Sequence, residues 1–198
     1  IAWAKGGAFP LIFDAPGEMA EGILCDTLTV EDAARLDFYE GGFGYDTRLV
    51  PVETGGSLVE ARVYFPRPGL WQAGAPWVLQ DWVDRYGPTA VATAQDFMAL
   101  MGRVPASALA ARYGSMLVRG GSTVRARAPQ KASLRRHALP QDVQVAARDL
   151  PYARFFAVEE WRVAWRQFAG SMNTPVDRAV FVTCDAVTVP VSYTHLAG

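Results

Sequence analysis

The sequence predicts an α+β protein, and three observations carry that prediction. The chain has 198 residues, of which 51% are hydrophobic and 20% are charged, a composition typical of a chain that buries a core. Residues 45–53 and 58–65 alternate as strands do, around the pair Gly55-Gly56. Residues 77–117 instead follow helical spacing, interrupted by proline and glycine.

The amino-terminal part predicts two short strands and then a helix. Residues 8–13 and 21–25 are short apolar runs bounded by turn-forming residues, as core strands are. Thr29-Val30-Glu31-Asp32 resembles a capping box, because the Thr29 hydroxyl can accept an early helical N–H. A helix is therefore expected over residues 30–39.

The end of this helix places an acidic residue at its negative pole. Gly41 and Gly42 directly follow Glu40, and both can take the positive φ that closes a helix.

The next two strands, with Gly55-Gly56 between them, predict a β-hairpin.

The middle of the chain predicts a connector made of helices. Prolines and glycines at 66–76 indicate a linker or domain edge, and three helices are expected at 77–86, 88–101 and 105–117. Strand-like composition returns at 143–147, 155–165 and 179–189. A second β-containing unit is therefore expected at the carboxyl end.

The charge is divided along the chain. Residues 14–60 carry eleven acidic residues against two arginines, whereas residues 97–141 carry eight basic residues and no acidic one. The basic stretch is interpreted as a solvated face or a contact with the acidic half, although it could attract phosphate or nucleic acid. Because no aromatic residue interleaves with residues 119–136, nucleic acid is not expected as a partner.

Cysteine and histidine usage favours a cytoplasmic protein without a metal site. Cys25 and Cys184 lie far apart without a partner motif, so they are expected as buried, reduced side chains. His137 and His195 have no second ligand at metal-binding spacing. No apolar run is long enough to span a membrane, so a membrane partner is not expected.

Residues 1–66 resemble the gamma-glutamylcyclotransferase-like family. The resemblance rests on the order and spacing of four blocks: Glu21-Gly22-Ile23-Leu24, Leu36-Asp37-Phe38-Tyr39-Glu40-Gly41, Tyr45-Asp46-Thr47-Arg48-Leu49-Val50-Pro51-Val52 and Val59-Glu60-Ala61-Arg62-Val63-Tyr64. It implies a small β-barrel with a flanking helix. It also implies an activity that releases 5-oxoproline from gamma-glutamyl amines.

The resemblance makes Glu40 the catalytic general acid/base. The position of this carboxylate at a helix C-terminus, with burial in a cleft, would raise its pKa. The alternative is an exposed helix-end carboxylate without chemistry. Tyr45 and Arg48 belong to the matched motif and are the substrate-binding candidates, although they could instead pair with the acidic helix.

The family also holds its substrate carboxylate on a Tyr-Gly-x-Leu loop, expected before Ala8. Tyr113-Gly114-Ser115-Met116 imitates this loop in composition but is expected inside a helix, so it is interpreted as a chance match. Since the chain begins at Ile1 without such a loop, we expect a fragment that is inactive by itself.

Residues 142–189 resemble the opening of a Nudix ADP-ribose pyrophosphatase. The resemblance rests on Phe155-Phe156-Ala157-Val158-Glu159-Glu160, on residues 168–173 and on residues 176–189. It implies Mg²⁺ as a cofactor, held by a Nudix box that this chain lacks, so no cofactor is expected in the fragment itself. It also implies a homodimer through this part. Residues 191–198 fit neither family.

The sequence thus predicts three parts: a gamma-glutamylcyclotransferase-like domain at 1–66, a helical connector with a basic loop at 67–141, and an incomplete antiparallel β unit of a Nudix domain at 142–198. The expected ligand is a small molecule, either a gamma-glutamyl amine or, for the parent protein, ADP-ribose. The alternative is that the first part is a non-catalytic binding or regulatory module of an ADP-ribose pyrophosphatase.

Overall fold

The structure is a computed structural model that describes residues 1–128, 139–183 and 185. It mixes helix and sheet, which confirms the predicted α+β class, and it divides into two compact units, Ile1–Pro129 and Gln130–Gly198. The elements of the first unit are β1 (Ala2–Ala4), β2 (Pro10–Leu11), α1 (Val30–Gly41), β3 (Tyr45–Thr54), β4 (Ser57–Pro66), β5 (Ala73–Pro76), α2 (Leu79–Met98), α3 (Ala106–Ala110) and α4 (Tyr113–Arg127). Those of the second are a 3-10 turn (Pro140–Asp142), β6 (Val143–Ala153), β7 (Ala157–Trp165) and β8 (Val176–Val182).

Strand β1 lies at the centre of a small sheet in the order β2-β1-β5. Ala2 is opposite Leu11 of β2 and Pro76 of β5, and both pairings are antiparallel. The segment 66–76, predicted as a linker, therefore contributes a paired strand. Trp3 of β1 also contacts the rings of Trp77 and Tyr86 at centroid distances of 6.4 and 5.9 Å, so both aromatic side chains pack against this strand.

Helix α1 begins as predicted and ends differently. The Thr29 hydroxyl accepts from the Asp32 backbone N–H and the Asp32 side chain accepts from the Thr29 N–H, so the capping box is confirmed. The expected positive φ at the helix end is wrong, because Gly42 has a φ of −61°. Gly42 is needed for another reason: a Cβ there would lie 3.0 Å from the carbonyl oxygen of Ala106.

The predicted β-hairpin is confirmed. Strands β3 and β4 pair over their whole length, from Tyr45 opposite Pro66 to Thr54 opposite Ser57. Gly55 and Gly56 both have positive φ, 56° and 78°, as a two-residue hairpin turn of the primed type requires.

The expected β-barrel is not found in the described residues. Their strands form three separate sheets, and the hairpin β3–β4 is a two-stranded sheet by itself. A barrel closes only when its strands pair continuously around the ring. Residues 21–25, predicted as a strand, lie outside every sheet; Ile23 is 92% exposed, and Cys25 is exposed rather than buried.

Three helices were expected in the middle of the chain, and the predicted positions of the interruptions between them are wrong. Residues 79–98 form one helix, α2, which continues through Pro88, while the third predicted helix is divided into α3 and α4. Proline removes one backbone hydrogen bond from a helix interior. The burial of Ala92, Thr93 and Phe97 on one side of α2 offsets that loss, because tertiary packing outweighs local propensity.

Helices α2 and α4 approach closely, and this contact contains some of the most deeply buried side chains of the first unit. Gly120, which lies beyond the predicted helix 105–117, is inside α4, where a Cβ would meet the Thr93 hydroxyl at 2.4 Å. Arg119, one of the residues of the basic stretch, is only 1% exposed, and its Nε lies 3.3 Å from Asp96. The interpretation of this stretch as a solvated face is therefore wrong at Arg119. Lys131, Arg135 and Arg136 lie outside the described residues.

The second unit is a three-stranded antiparallel sheet in the order β6-β7-β8, as the strand pattern predicted. Glu159 of β7 is buried, pairs with Arg148 and accepts a hydrogen bond from Trp161 at 2.6 Å. Cys184 and residues 186–198, which include the expected end of the last strand, lie outside the described residues, as does His137.

No helix in the described part of the chain has both the length and the apolar character needed to cross a membrane; the longest, α2, has 20 residues.

The predicted domain boundaries stay predictions. Residues 67–129 cluster with residues 1–66 in the first compact unit.

Candidate active site around Glu40

Glu40 lies in the last turn of α1 and is partly buried. Its backbone carbonyl accepts from the N–H groups of Gly42 and Phe43, which closes the helix. Burial raises the pKa of the Glu40 carboxyl above its ordinary value, because the anion loses hydration. The direction agrees with the expectation from sequence, and an exposed carboxylate in bulk water does not describe this residue.

Four tyrosines lie close enough to Glu40 to feel its charge: Tyr39, Tyr45, Tyr64 and Tyr113. Burial is the main cause that raises the pKa of each phenol, and the negative charge of Glu40 raises it further. The pKa values of Tyr45 and Tyr64 rise to about 12. All four phenols therefore keep their protons at neutral pH, so each hydroxyl has one proton to donate and lone pairs that can accept.

Tyr39 and Tyr113 form the helical side of this site. Their hydroxyl oxygens are 3.0 Å apart, although they come from α1 and from the first turn of α4. Behind them, Phe43 contacts both rings, and Phe97, which is fully buried, packs against Tyr39 at a centroid distance of 5.1 Å. The position of these hydroxyls is thus fixed by aromatic packing.

Tyr45 and Tyr64 form the strand side. Tyr45 pairs with Pro66 and Tyr64 pairs with Thr47, so alternation places both tyrosines on the same face of the hairpin. This face meets α1, because the Tyr64 hydroxyl donates to the Asp37 carboxylate at 2.6 Å.

Arg48 lies on the opposite face of the hairpin. Its guanidinium stacks 3.9 Å above the ring of Phe65 and bonds Asp14 at 2.9 Å. The structure therefore brings Glu40 and Tyr45 together and does not bring Arg48 to them. The arginine that does contact the acidic helix is Arg62, whose Nη2 lies 3.7 Å from Asp37. The substrate-binding role of Arg48 stays a prediction.

Sequence reasoning missed three of the four tyrosines. The sequence does not distinguish Tyr39, the neighbour of Glu40 in α1, from a packing or capping residue. Strand alternation from Tyr45 through the hairpin register is the signal that could have found Tyr64. Tyr113 is the first residue of α4, so its Tyr-Gly motif is helical, as predicted, and does not form a substrate loop. Its hydroxyl nevertheless reaches the site, and no local sequence signal indicates this.

A groove of about 390 Å³ runs beside the site between α1 and α2. Tyr39 lies at its edge, and the remaining lining side chains are Leu28, Asp32, Arg35, Leu36, Ala94 and Met98. This groove is largely apolar and differs from the polar surroundings of Glu40. Tyr39 is the residue that the groove and the tyrosine cluster share.

A partly buried carboxyl with a raised pKa, whose charge acts on four tyrosines, defines a candidate general acid/base site on an α+β scaffold. The family model described as gamma-glutamyl cyclotransferase, AIG2-like, matches residues 2–84. The match includes Glu40 and Tyr45, and it confirms the first part of the resemblance read from the sequence while extending it beyond residue 66. A search of curated proteins found no match. Because the family match ends at residue 84, it gives no support to the Nudix part of the resemblance.

Proposed function

We propose that residues 2–84 form the core of a gamma-glutamylcyclotransferase-like site that releases 5-oxoproline from gamma-glutamyl amines, with Glu40 as the general acid/base. The observation that carries the proposal is the partly buried Glu40 carboxyl, whose pKa is raised and whose neighbours are four protonated tyrosines. The match of residues 2–84 to the family model supports the reaction class.

The reaction requires one group that removes and returns a proton. The Glu40 carboxylate takes a proton from the α-ammonium group of the substrate, and the neutral amine attacks the γ-carbonyl carbon of the same molecule. A C–N bond forms and closes the five-membered ring. The protonated Glu40 then gives its proton to the departing amine as the original γ C–N bond breaks. The ring nitrogen, which carries one extra proton after the attack, passes that proton to the Glu40 carboxylate, and from there it goes to the released amine, which leaves as an ammonium ion. A carboxyl with a raised pKa suits both steps, because its proton affinity lies nearer to neutrality.

The tyrosines supply the polar surroundings for this exchange. Since their pKa values are raised, they stay neutral while Glu40 changes its charge. A neutral hydroxyl that accepts from the amine, or that donates to the developing carbonyl oxyanion, does not compete with Glu40 for the proton.

The test uses the full-length protein that contains this sequence. Purified protein is incubated with gamma-glutamyl amines, L-glutamine being the simplest, and 5-oxoproline is measured by chromatography with mass detection. Glu40→Gln should abolish product formation above background. Glu31→Gln is the matched control, because Glu31 is an exposed residue in the first turn of the same helix. Equal rates for Glu40→Gln and the unchanged protein would refute the proposal.

The second candidate is that the first unit serves an ADP-ribose pyrophosphatase of the Nudix class as a non-catalytic module. The antiparallel sheet β6-β7-β8 favours it, because it occupies the region where the resemblance places the Nudix strands. In the described residues, however, no group of three or more His, Cys, Asp or Glu side chains could hold a metal ion, so no step is assigned to Mg²⁺ in this chain. Cleavage of ADP-ribose that persists in Glu40→Gln, without 5-oxoproline release, would select this candidate. Cytoplasmic location and a homodimer through this unit belong to the same proposal.

A further inference from the structure

Asp37 lies beside Glu40 on the surface of α1. The two carboxyl groups are three residues apart, a spacing that places side chains next to each other on one helix face. The Tyr64 hydroxyl donates to Asp37 Oδ1 at 2.6 Å, a length typical of a hydrogen bond to a charged carboxylate. Arg62 Nη2 lies 3.7 Å from the same oxygen, so this oxygen of Asp37 contacts both a tyrosine and an arginine.

This hydrogen bond fixes what the Tyr64 oxygen can do. A tyrosine hydroxyl has one proton, so once that proton is given to Asp37, the oxygen can only accept further hydrogen bonds. Tyr45 lies on the same face of the hairpin, and both rings lie near enough to Glu40 to feel its charge. The Tyr64 oxygen is therefore an acceptor held against Asp37, which lies three residues before Glu40 on the same face of α1.

We propose that Tyr64 is a binding residue for the amine of the ligand and that Asp37 is a positioning residue, which makes Tyr64 an obligate acceptor by taking its proton. This inference rests on the proposed function, because it assigns the α-amine of a gamma-glutamyl compound to the space between Glu40 and Tyr64. The pair of Asp37 and Tyr64 then determines specificity. It raises the affinity for ligands that present an N–H donor to the Tyr64 oxygen and does not raise the affinity for analogues without the amine.

The experiment compares two ligands by titration calorimetry on the full-length protein. L-Glutamine carries the α-amine, and 4-carbamoylbutanoate is the same molecule without it. The ratio of their Kd values measures the preference for the amine. The loss of one hydrogen bond to a charged group should reduce this ratio by about tenfold or more.

Four variants separate a positioning role from a general structural one. Tyr64→Phe and Asp37→Ala should each reduce the preference for glutamine by about tenfold while leaving the affinity for 4-carbamoylbutanoate unchanged. The double variant should be no worse than Tyr64→Phe, because Asp37 acts only through Tyr64. Asp37→Asn should retain more preference than Asp37→Ala, since the amide oxygen can still accept the Tyr64 proton.

The matched control is Asp46→Ala, which removes an exposed carboxylate that pairs with Arg67 on the same hairpin, at 3.0 Å. It should leave the preference unchanged. An unchanged preference in Tyr64→Phe, or additive losses in the double variant, would overturn this inference while the proposed function stands. If the unchanged protein binds neither ligand and makes no 5-oxoproline, both the inference and the proposed function fail.

Discussion

The hydrogen bond between Tyr39 and Tyr113 joins α1 to α4 beside Glu40, and its loss should be measurable as stability. The hydroxyl oxygens are 3.0 Å apart and both residues are partly buried. Tyr39→Phe removes one partner and leaves the Tyr113 hydroxyl without it, and Tyr113→Phe does the reverse. A buried polar group that loses its partner costs about 1–3 kcal/mol. Because neither residue is fully buried, we expect each single change to cost about 1 kcal/mol.

The double change should cost hardly more than either single one. When both hydroxyls are absent, two phenylalanine rings remain packed on Phe43 and Phe97, and no unpaired polar group is left between the helices. The expected coupling free energy between the two positions is therefore about 1 kcal/mol.

Urea unfolding of the four proteins, followed by tryptophan fluorescence, measures this coupling. A second cycle of Tyr45→Phe with Tyr113→Phe is the control, because Tyr45 lies on the hairpin and the bond in question joins α1 to α4. Its two effects should add. If the effects at Tyr39 and Tyr113 also add to within about 0.3 kcal/mol, the two hydroxyls do not interact and the described site geometry is wrong.

Three further changes test the site and its support. Burial raises the pKa of Glu40, so between its ordinary value of 4.5 and the raised one the folded protein keeps a proton that the unfolded chain has lost, and stability falls as the pH rises. Near pH 3, Glu40→Gln should therefore have about the same free energy of unfolding as the unchanged protein, and at neutral pH it should have a larger one. A smaller free energy of unfolding for Glu40→Gln at neutral pH would contradict this. Phe97→Ala, at a fully buried position, should cost about 3–5 kcal/mol in urea unfolding, and a loss below 1 kcal/mol would contradict the aromatic core. Gly120→Ala should lower the melting temperature, at a cost of about 1–3 kcal/mol, because its Cβ would lie 2.4 Å from the Thr93 hydroxyl. Thr93→Ala in the same chain should recover part of that loss, whereas an unchanged melting temperature in Gly120→Ala would contradict the close approach of the helices.

The features that the sequence predicted correctly depend on neighbouring residues. The hairpin turn at Gly55-Gly56 and the capping box at Thr29 each need only a few consecutive side chains. The position of Glu40 near the end of α1 follows from the same local signals, and so does its proximity to Tyr45, which begins the next strand.

The features that were missed depend on distant contacts. Pro88 is a helix breaker in a local reading, yet α2 continues because its buried side packs against α4. Tyr113 reaches Tyr39 across 74 positions in sequence, and no periodicity encodes that approach. The barrel was expected from resemblance alone, and closure of a sheet is a property of strand partners rather than of any one strand.

The buried Arg119 sets the alignment of the two long helices. Its guanidinium is held against Asp96, with side-chain exposures of 1% and 13%. Sliding α4 along α2 by one turn, about 5.4 Å, would separate these charges in apolar surroundings, where breaking such a pair costs several kcal/mol. The alignment that keeps this ion pair is also the one in which the first turn of α4 brings the Tyr113 hydroxyl to Tyr39. An ion pair between the two helices thus contributes to the position of one wall of the candidate site.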